Sequence, residues 1–175
     1  MEDQLDLDKM SKEELISMVK AHSRLFLALD GFWFLTVEEA YGYDVALKVD
    51  LDVWMKYCPY EAKYLRKQLG LSKEGIPGIV EVMKNVAFAP CMSKVIINEA
   101  TDERGDIGYY GCPSLMAMEK AGRTQFTCNE GECIFDNFAK TLDPNVKCKM
   151  IGGPPRKSPE DVSCRWEFTK EASTE

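Results

Sequence analysis

Residues 94–111, KVIINEATDERGDIGYYG, decide the fold. Two short runs rich in β-branched or aromatic residues, KVIINEA and IGYYG, flank the polar segment TDERGD, a pattern that predicts a β-hairpin. Beyond it, PSLMAMEKAG has Pro113 at its start and Gly122 just past its end, and EGECIFDNFAKTL follows; both are predicted helices. Residues 145–168, NVKCKMIGGPPRKSPEDVSCRWEF, read as two strands joined by a glycine- and proline-containing loop. The order β-β-α-α-β-β predicts an antiparallel sheet of about four strands with helices on one face.

Before about residue 86 the chain reads as helix. Ser11-Lys12-Glu13-Glu14 has the form of a capping box, with Met10 and Leu15 placed for a hydrophobic staple. The helix it opens runs to about His22 and then, directly or after a break, into LFLALDGFWFLTVEEAYG. That stretch is apolar around most of its circumference, as a buried central helix is, and Gly42 suits its C-cap. Asp44 is placed to cap a third helix, VALKVDLDVWMKY, which offers Ala46, Leu47, Val53 and Trp54 for burial. Pro59 opens a fourth, PYEAKYLRKQL, ending at Gly70, and Ser72 starts a short fifth around IPGIVEVMKN. The expected protein is α+β: a helical lobe, 1–85, packed on a cysteine-containing α+β lobe, 86–175, as one compact unit.

A chain of 175 residues buries roughly two thirds of its extended surface, so neither metal nor disulfide is required for a core. With 22 basic against 29 acidic residues the formal charge is −7, which argues against phosphate recognition. Arg156-Lys157 reads as a solvated loop. The start of the chain is acidic and has no secretion-signal pattern, and the apolar run Leu25–Leu35 is broken by Asp30 and Gly31, too short to span a bilayer. A cytoplasmic protein is expected, partnered by a small molecule and by neither nucleic acid nor membrane.

Seven cysteines in a reducing compartment are free, metal-bound or chemically active. Folding the last hairpin symmetrically about Arg156 sets Cys148 opposite Cys164, as unbridged neighbours on one face of the sheet. Cys112, Cys128 and Cys133 lie at helix starts, where the dipole favours the thiolate. Cys112, Cys128, Cys133 and Cys148 form a candidate set for zinc or an iron–sulfur cluster, although the spacing of Cys128 and Cys133 is not that of a tight zinc knuckle. The competing reading makes these thiols small core hydrophobes.

Asp30 and Glu38 interrupt an apolar helix beside Trp33 and Phe34, where burial would raise a carboxyl's pKa and suit it to acid–base work. Eight residues apart, they are separated by about 12 Å along the axis, so they do not share a proton. Glu38 and Glu39 also fit an exposed helix end. Cys112 and Cys164 are the candidate nucleophilic thiols; a Cys–His pair would have to use His22, the single histidine. Trp33, Tyr41, Trp54 and Tyr110 are candidates for lining a ligand pocket between the lobes, or for plain core. No dinucleotide fingerprint, phosphate loop or zinc-protease helix is present in the sequence.

Two stretches, residues 29–54 (LDGFWFLTVEEAYGYDVALKVDLDVW) and 142–168 (LDPNVKCKMIGGPPRKSPEDVSCRWEF), resemble an uncharacterised family of prokaryotic cytosolic proteins. That family is similar to the L-2-amino-thiazoline-4-carboxylic acid hydrolases and, more loosely, to vinyl-reductase-type small-molecule-binding domains. The matching positions are Trp33, Glu38, Gly42, Cys148, Pro154, Pro155, Cys164 and Trp166; the lone histidine departs from any mechanism that uses several. The resemblance implies a helical lobe packed on an αβ lobe, and either ring-opening hydrolysis of a small heterocycle or binding of a small apolar ligand. Two functions follow: a hydrolase acting on a C–N or C–S bond, or a non-catalytic sensor that binds a small ligand or metal through its cysteines.

Overall fold

The computed structural model describes residues 5–171; residues 1–4 and 172–175, the outer ends of the two expected lobes, lie outside the described residues. The capping box forms as read. Ser11 Oγ accepts from the Glu14 amide at 3.2 Å, and the Glu14 carboxylate accepts from the Ser11 amide at 2.7 Å. From this cap one helix, α1, runs unbroken from Lys12 to Tyr41 and ends at Gly42, whose φ of 86° suits a residue without Cβ. It is not a buried central helix. Ser23, Leu27 and Phe34 are buried, while Leu25, Leu29 and Phe32, on the opposite side at helical period, are 64, 71 and 69 % exposed. The elements packed on α1 are a second helix, a later short helix and the 3-10 turn Ala89–Cys91, and together they cover one side of it.

The second helix, α2, spans Tyr43–Gln68 as one element, so the expected division at Pro59 does not occur, and Gly42 rather than Asp44 is its N-cap. Proline at position 59 removes the amide that would bond to the Met55 carbonyl. A residue distant in sequence replaces it: Asn137 Nδ2 donates to Met55 O at 2.8 Å. The freed carbonyl is satisfied by a neighbouring helix, and α2 passes through its proline.

Helix α3, Gly75–Met83, begins after the expected Ser72 and buries Ile76, Ile79, Val80, Val82 and Met83. It lies against the sheet at Gly105, where a Cβ would come within 2.7 Å of Val80 Cγ2 and 2.8 Å of Ile76 Cγ2. Tyr109 Oη donates to Met83 O at 2.6 Å, satisfying one of the terminal carbonyls of α3.

Strands β1 (Lys94–Ala100), β2 (Arg104–Tyr110), β3 (Val146–Gly152) and β4 (Cys164–Lys170) form one antiparallel sheet in the order β1-β2-β4-β3. Helices α4 (Pro113–Lys120) and α5 (Glu132–Leu142) connect β2 to β3. The fold is α+β with the expected element order. One core joins both sequence halves, from Leu27, Cys58 and Ala62 through α3 to Tyr109, Phe138, Trp166 and Phe168. Strand β3 lies at an edge, and α5 shields it: Asp136 accepts from the Cys148 amide at 2.9 Å and Glu132 from the Met150 amide at 3.1 Å.

The last hairpin differs from its symmetric reading. Cys148 is opposite Phe168, and Cys164 is opposite Tyr109 on β2, so the two thiols are not cross-strand neighbours. The displacement is an even number of residues, which leaves both sulfurs on the core side. Its cause lies in the loop: Arg156, expected in solvent, has a side chain only 2 % exposed. It donates from Nε to Glu119 at 2.9 Å and from Nη1 to Pro159 O at 2.8 Å, so the loop is folded onto α4 instead of forming a symmetric turn.

The Asn137 contact makes a measurable prediction. Replacing Asn137 by Ala is expected to lower stability by about 1 kcal/mol. In a Pro59→Ala background, where residue 59 recovers an amide for Met55 O, most of that loss disappears. Urea titration of the four proteins reads the coupling; equal losses in both backgrounds would refute the assignment.

Candidate functional site

The α1–α2 connection turns back at Gly42, placing residues before it beside residues after it. Asp30 lies on the buried stripe of α1, three residues after Leu27 and four before Phe34. Asp50 lies on the buried stripe of α2, four residues after Ala46 and four before Trp54. Both carboxyls line a cavity of about 320 Å³ whose apolar wall includes Leu27, Phe34 and Leu35 of α1 and Ala117 and Met118 of α4. Pocket and carboxyls together are the feature most able to do chemistry.

Burial sets the proton affinity of the pair. Loss of water lifts Asp30 to about 6 and Asp50 to about 7, and the neighbouring Asp30 charge adds to the rise at Asp50. The Trp54 indole, held edge-on by Phe26 and Tyr57, favours the charged form of each carboxyl and offsets part of the rise. The sequence identified Asp30 and missed Asp50. The signal was the i, i+4, i+8 alignment of Ala46, Asp50 and Trp54, which puts a carboxyl on an otherwise buried stripe.

The other expected site residues are distributed differently. Glu38 is held by Arg123, which also lines the cavity, with Arg123 Nη1 donating at 3.0 Å and Nη2 to the second carboxylate oxygen. That hydrogen-bonded guanidinium keeps the Glu38 carboxyl below the usual range, so Glu38 is a fixed anion and not a proton carrier. Trp54 stands beside the carboxyl pair, whereas Trp33 and Tyr41 are exposed on α1, and Tyr110 lies under the Lys94 ammonium, 4.8 Å from its ring centre. His22 bonds through Nδ1 to Met18 O at 2.9 Å and faces a separate groove lined by no cysteine.

All seven cysteines are free. Cys112, Cys128 and Cys164 lie close enough for each to act on another's titration, yet burial pushes all three thiols up, Cys128 to about 12. The Leu115 and Ser114 amides at the start of α4 do favour the Cys112 thiolate, and desolvation outweighs them. Cys148 is likewise raised by burial, and Cys133 is exposed, with Sγ 3.5 Å from Glu130 O. The candidate metal set is therefore spread over the start of α4, a 3-10 turn, the start of α5 and β3. Among the described residues no three His, Cys, Asp or Glu side chains are grouped to hold a metal ion.

Fold and cavity define an α+β protein with an acidic pair in an apolar interior site. The chain belongs to the family of unknown function DUF6125, whose model matches residues 8–170. No curated protein and no solved structure matches it.

The raised carboxyls fix the sign of a pH effect. The folded state holds Asp50's proton up to about pH 7, whereas the unfolded chain releases it near 3.8, so this group's contribution to stability falls as pH rises between those values. Asp50→Asn removes the penalty. The variant is expected to match the parent near pH 4 and to exceed it at pH 8 by about 1–2 kcal/mol, roughly 2–8 °C in melting temperature. Thermal melts at the two pH values check it, and a variant less stable than the parent at pH 8 would contradict the burial argument.

Proposed function

We propose that the chain hydrolyses a C–N or C–S bond of a small heterocycle held in the cavity between α1 and α4, with Asp30 and Asp50 as its acid–base pair. The carrying observation is that two carboxyls of raised and unequal proton affinity line one apolar cavity. Between about pH 6 and 7 such a pair shares about one proton, leaving one member a base and the other an acid. The ionised carboxyl takes a proton from water as the water oxygen bonds to the ring carbon. The protonated carboxyl gives its proton to the departing nitrogen or sulfur, so a C–O bond forms as the C–N or C–S bond breaks, and the two carboxyls exchange roles. This replaces the thiolate mechanism, because burial holds the candidate thiols Cys112 and Cys164 protonated. The reaction class is that of the thiazoline-carboxylate hydrolases, to which the uncharacterised family that residues 29–54 and 142–168 resemble is distantly similar.

The acidic balance of the chain suits a cytoplasmic small-molecule protein without a nucleic-acid partner, and no helix among the described residues is long and apolar enough to cross a membrane. A ligand sensor without turnover is the second reading. It is favoured by the attachment of α4, which is tied to the last loop by Glu119–Arg156 while Arg123, just beyond it, is tied to α1 by Glu38, so that filling the cavity bears on both ties.

Turnover of a panel of cyclic amides and thiazolines tests the proposal. Asp30→Asn and Asp50→Asn are each expected to lower turnover by about 100-fold or more, and Cys112→Ser and Cys164→Ser by less than about threefold. Binding without turnover across the panel would leave the sensor reading, and loss of activity in a cysteine variant would restore the thiol mechanism.

A further inference from the structure

Asp50 is 6 % exposed, and its carboxyl lines a mostly apolar cavity. Buried charges in proteins are normally matched by an opposite charge or by several hydrogen bonds. Neither compensation is found here among the described residues. The groups acting on the Asp30 and Asp50 carboxyls are each other and the neutral Trp54 indole, with no ammonium or guanidinium among them. Two arginines do line the same cavity, but Arg123 is committed in fork geometry to Glu38 and Arg24 is exposed. Cys128, the other titratable group that acts with Asp50, is a thiol held protonated by burial and supplies no positive charge. The site thus holds an acidic pair whose counter-charge the surrounding protein does not provide.

Resting on the reading of the cavity as a small-molecule site, we infer that its ligand is an organic monocation: a protonated amine on an apolar body, with its N–H bonds directed to Asp30 and Asp50. One positive charge balances a pair that keeps one proton and one negative charge, so the proton needed for an acid step stays in place. The volume of about 320 Å³ admits a body on the order of ten non-hydrogen atoms. A hard divalent ion fits less well, because it asks for six or more oxygen ligands, whereas besides the two carboxyls only Ser114 and Thr127 bring side-chain oxygens to the wall.

Calorimetry on the full chain with cyclohexylmethylamine and its neutral isostere cyclohexylmethanol tests the inference. At pH 6.5, where the pair holds about one proton and one negative charge, the amine is expected to bind at least tenfold more tightly. Its advantage should fall at least tenfold on lowering the pH to about 4.5, where Asp30 and Asp50 both take up protons while the guanidiniums of Arg24 and Arg123 keep their charge and Cys128 stays neutral. In the Asp30→Asn, Asp50→Asn double variant the alcohol should bind as in the parent, showing an intact cavity, and the amine should lose its preference. Equal or tighter binding of the alcohol by the parent overturns the cationic class while leaving the cavity as a site. Failure of both probes to bind overturns the cavity reading together with this inference. Displacement of the amine by millimolar magnesium or calcium would reassign the pair to a metal ion and also overturn it.

Discussion

The site depends on the length of α1. A helix of 30 residues spans about 45 Å, whereas strands of seven residues reach about 23 Å. A helix of that length outruns any strand here, and its support comes from α2, which folds back at Gly42, from α4 and from the Ala89–Cys91 turn. The incomplete closure between α1 and the short α4 leaves the apolar cavity, and the Arg123–Glu38 fork ties the two together beyond it. The same geometry leaves Leu25, Leu29 and Phe32 facing solvent.

Burial outweighs the neutral hydrogen-bond donors around the thiols and the cavity carboxyls. The thiol of Cys112 has the helix-start amides that would favour its thiolate, and desolvation still raises it. Asp30 and Asp50 have the Trp54 indole to favour their charge, and they too are raised. Glu38 and Asp106 go the other way because each is gripped by an arginine, Arg123 and Arg165 respectively. A carboxyl here is raised toward its protonated form where no cation reaches it, as at Asp30 and Asp50, and held as an anion where one does, as at Glu38 and Asp106.

Features that rest on neighbours a few residues away were legible. The Ser11–Glu14 box, the Gly42 terminus, the 94–111 hairpin and Pro113 at the head of α4 each follow from local sterics and hydrogen bonding. Features set by distant partners were not. Pro59 was read as a helix start because its lost amide is visible in sequence, while Asn137, which satisfies the freed carbonyl, is not. The Cys148–Cys164 pairing failed because it assumed a symmetric loop, and Glu119 pulls Arg156 out of that symmetry. Asp30 stood out as a charge among aromatic residues, whereas Asp50 sits in the charged segment KVDLD and looks ordinary until its helix face is known.

The sequence by itself therefore determined the class of fold, the order of elements and the acidic, cysteine-rich character of the chain, because periodicity, caps and turns act over one or two helical turns. Tertiary structure alone decided that Asp30 and Asp50 line one cavity, that Glu38 is paired with Arg123, and that burial holds the thiols of Cys112, Cys128, Cys148 and Cys164 protonated. Each of these depends on which surfaces lose water and which charges meet across the fold, and both are properties of packing between segments far apart in the chain.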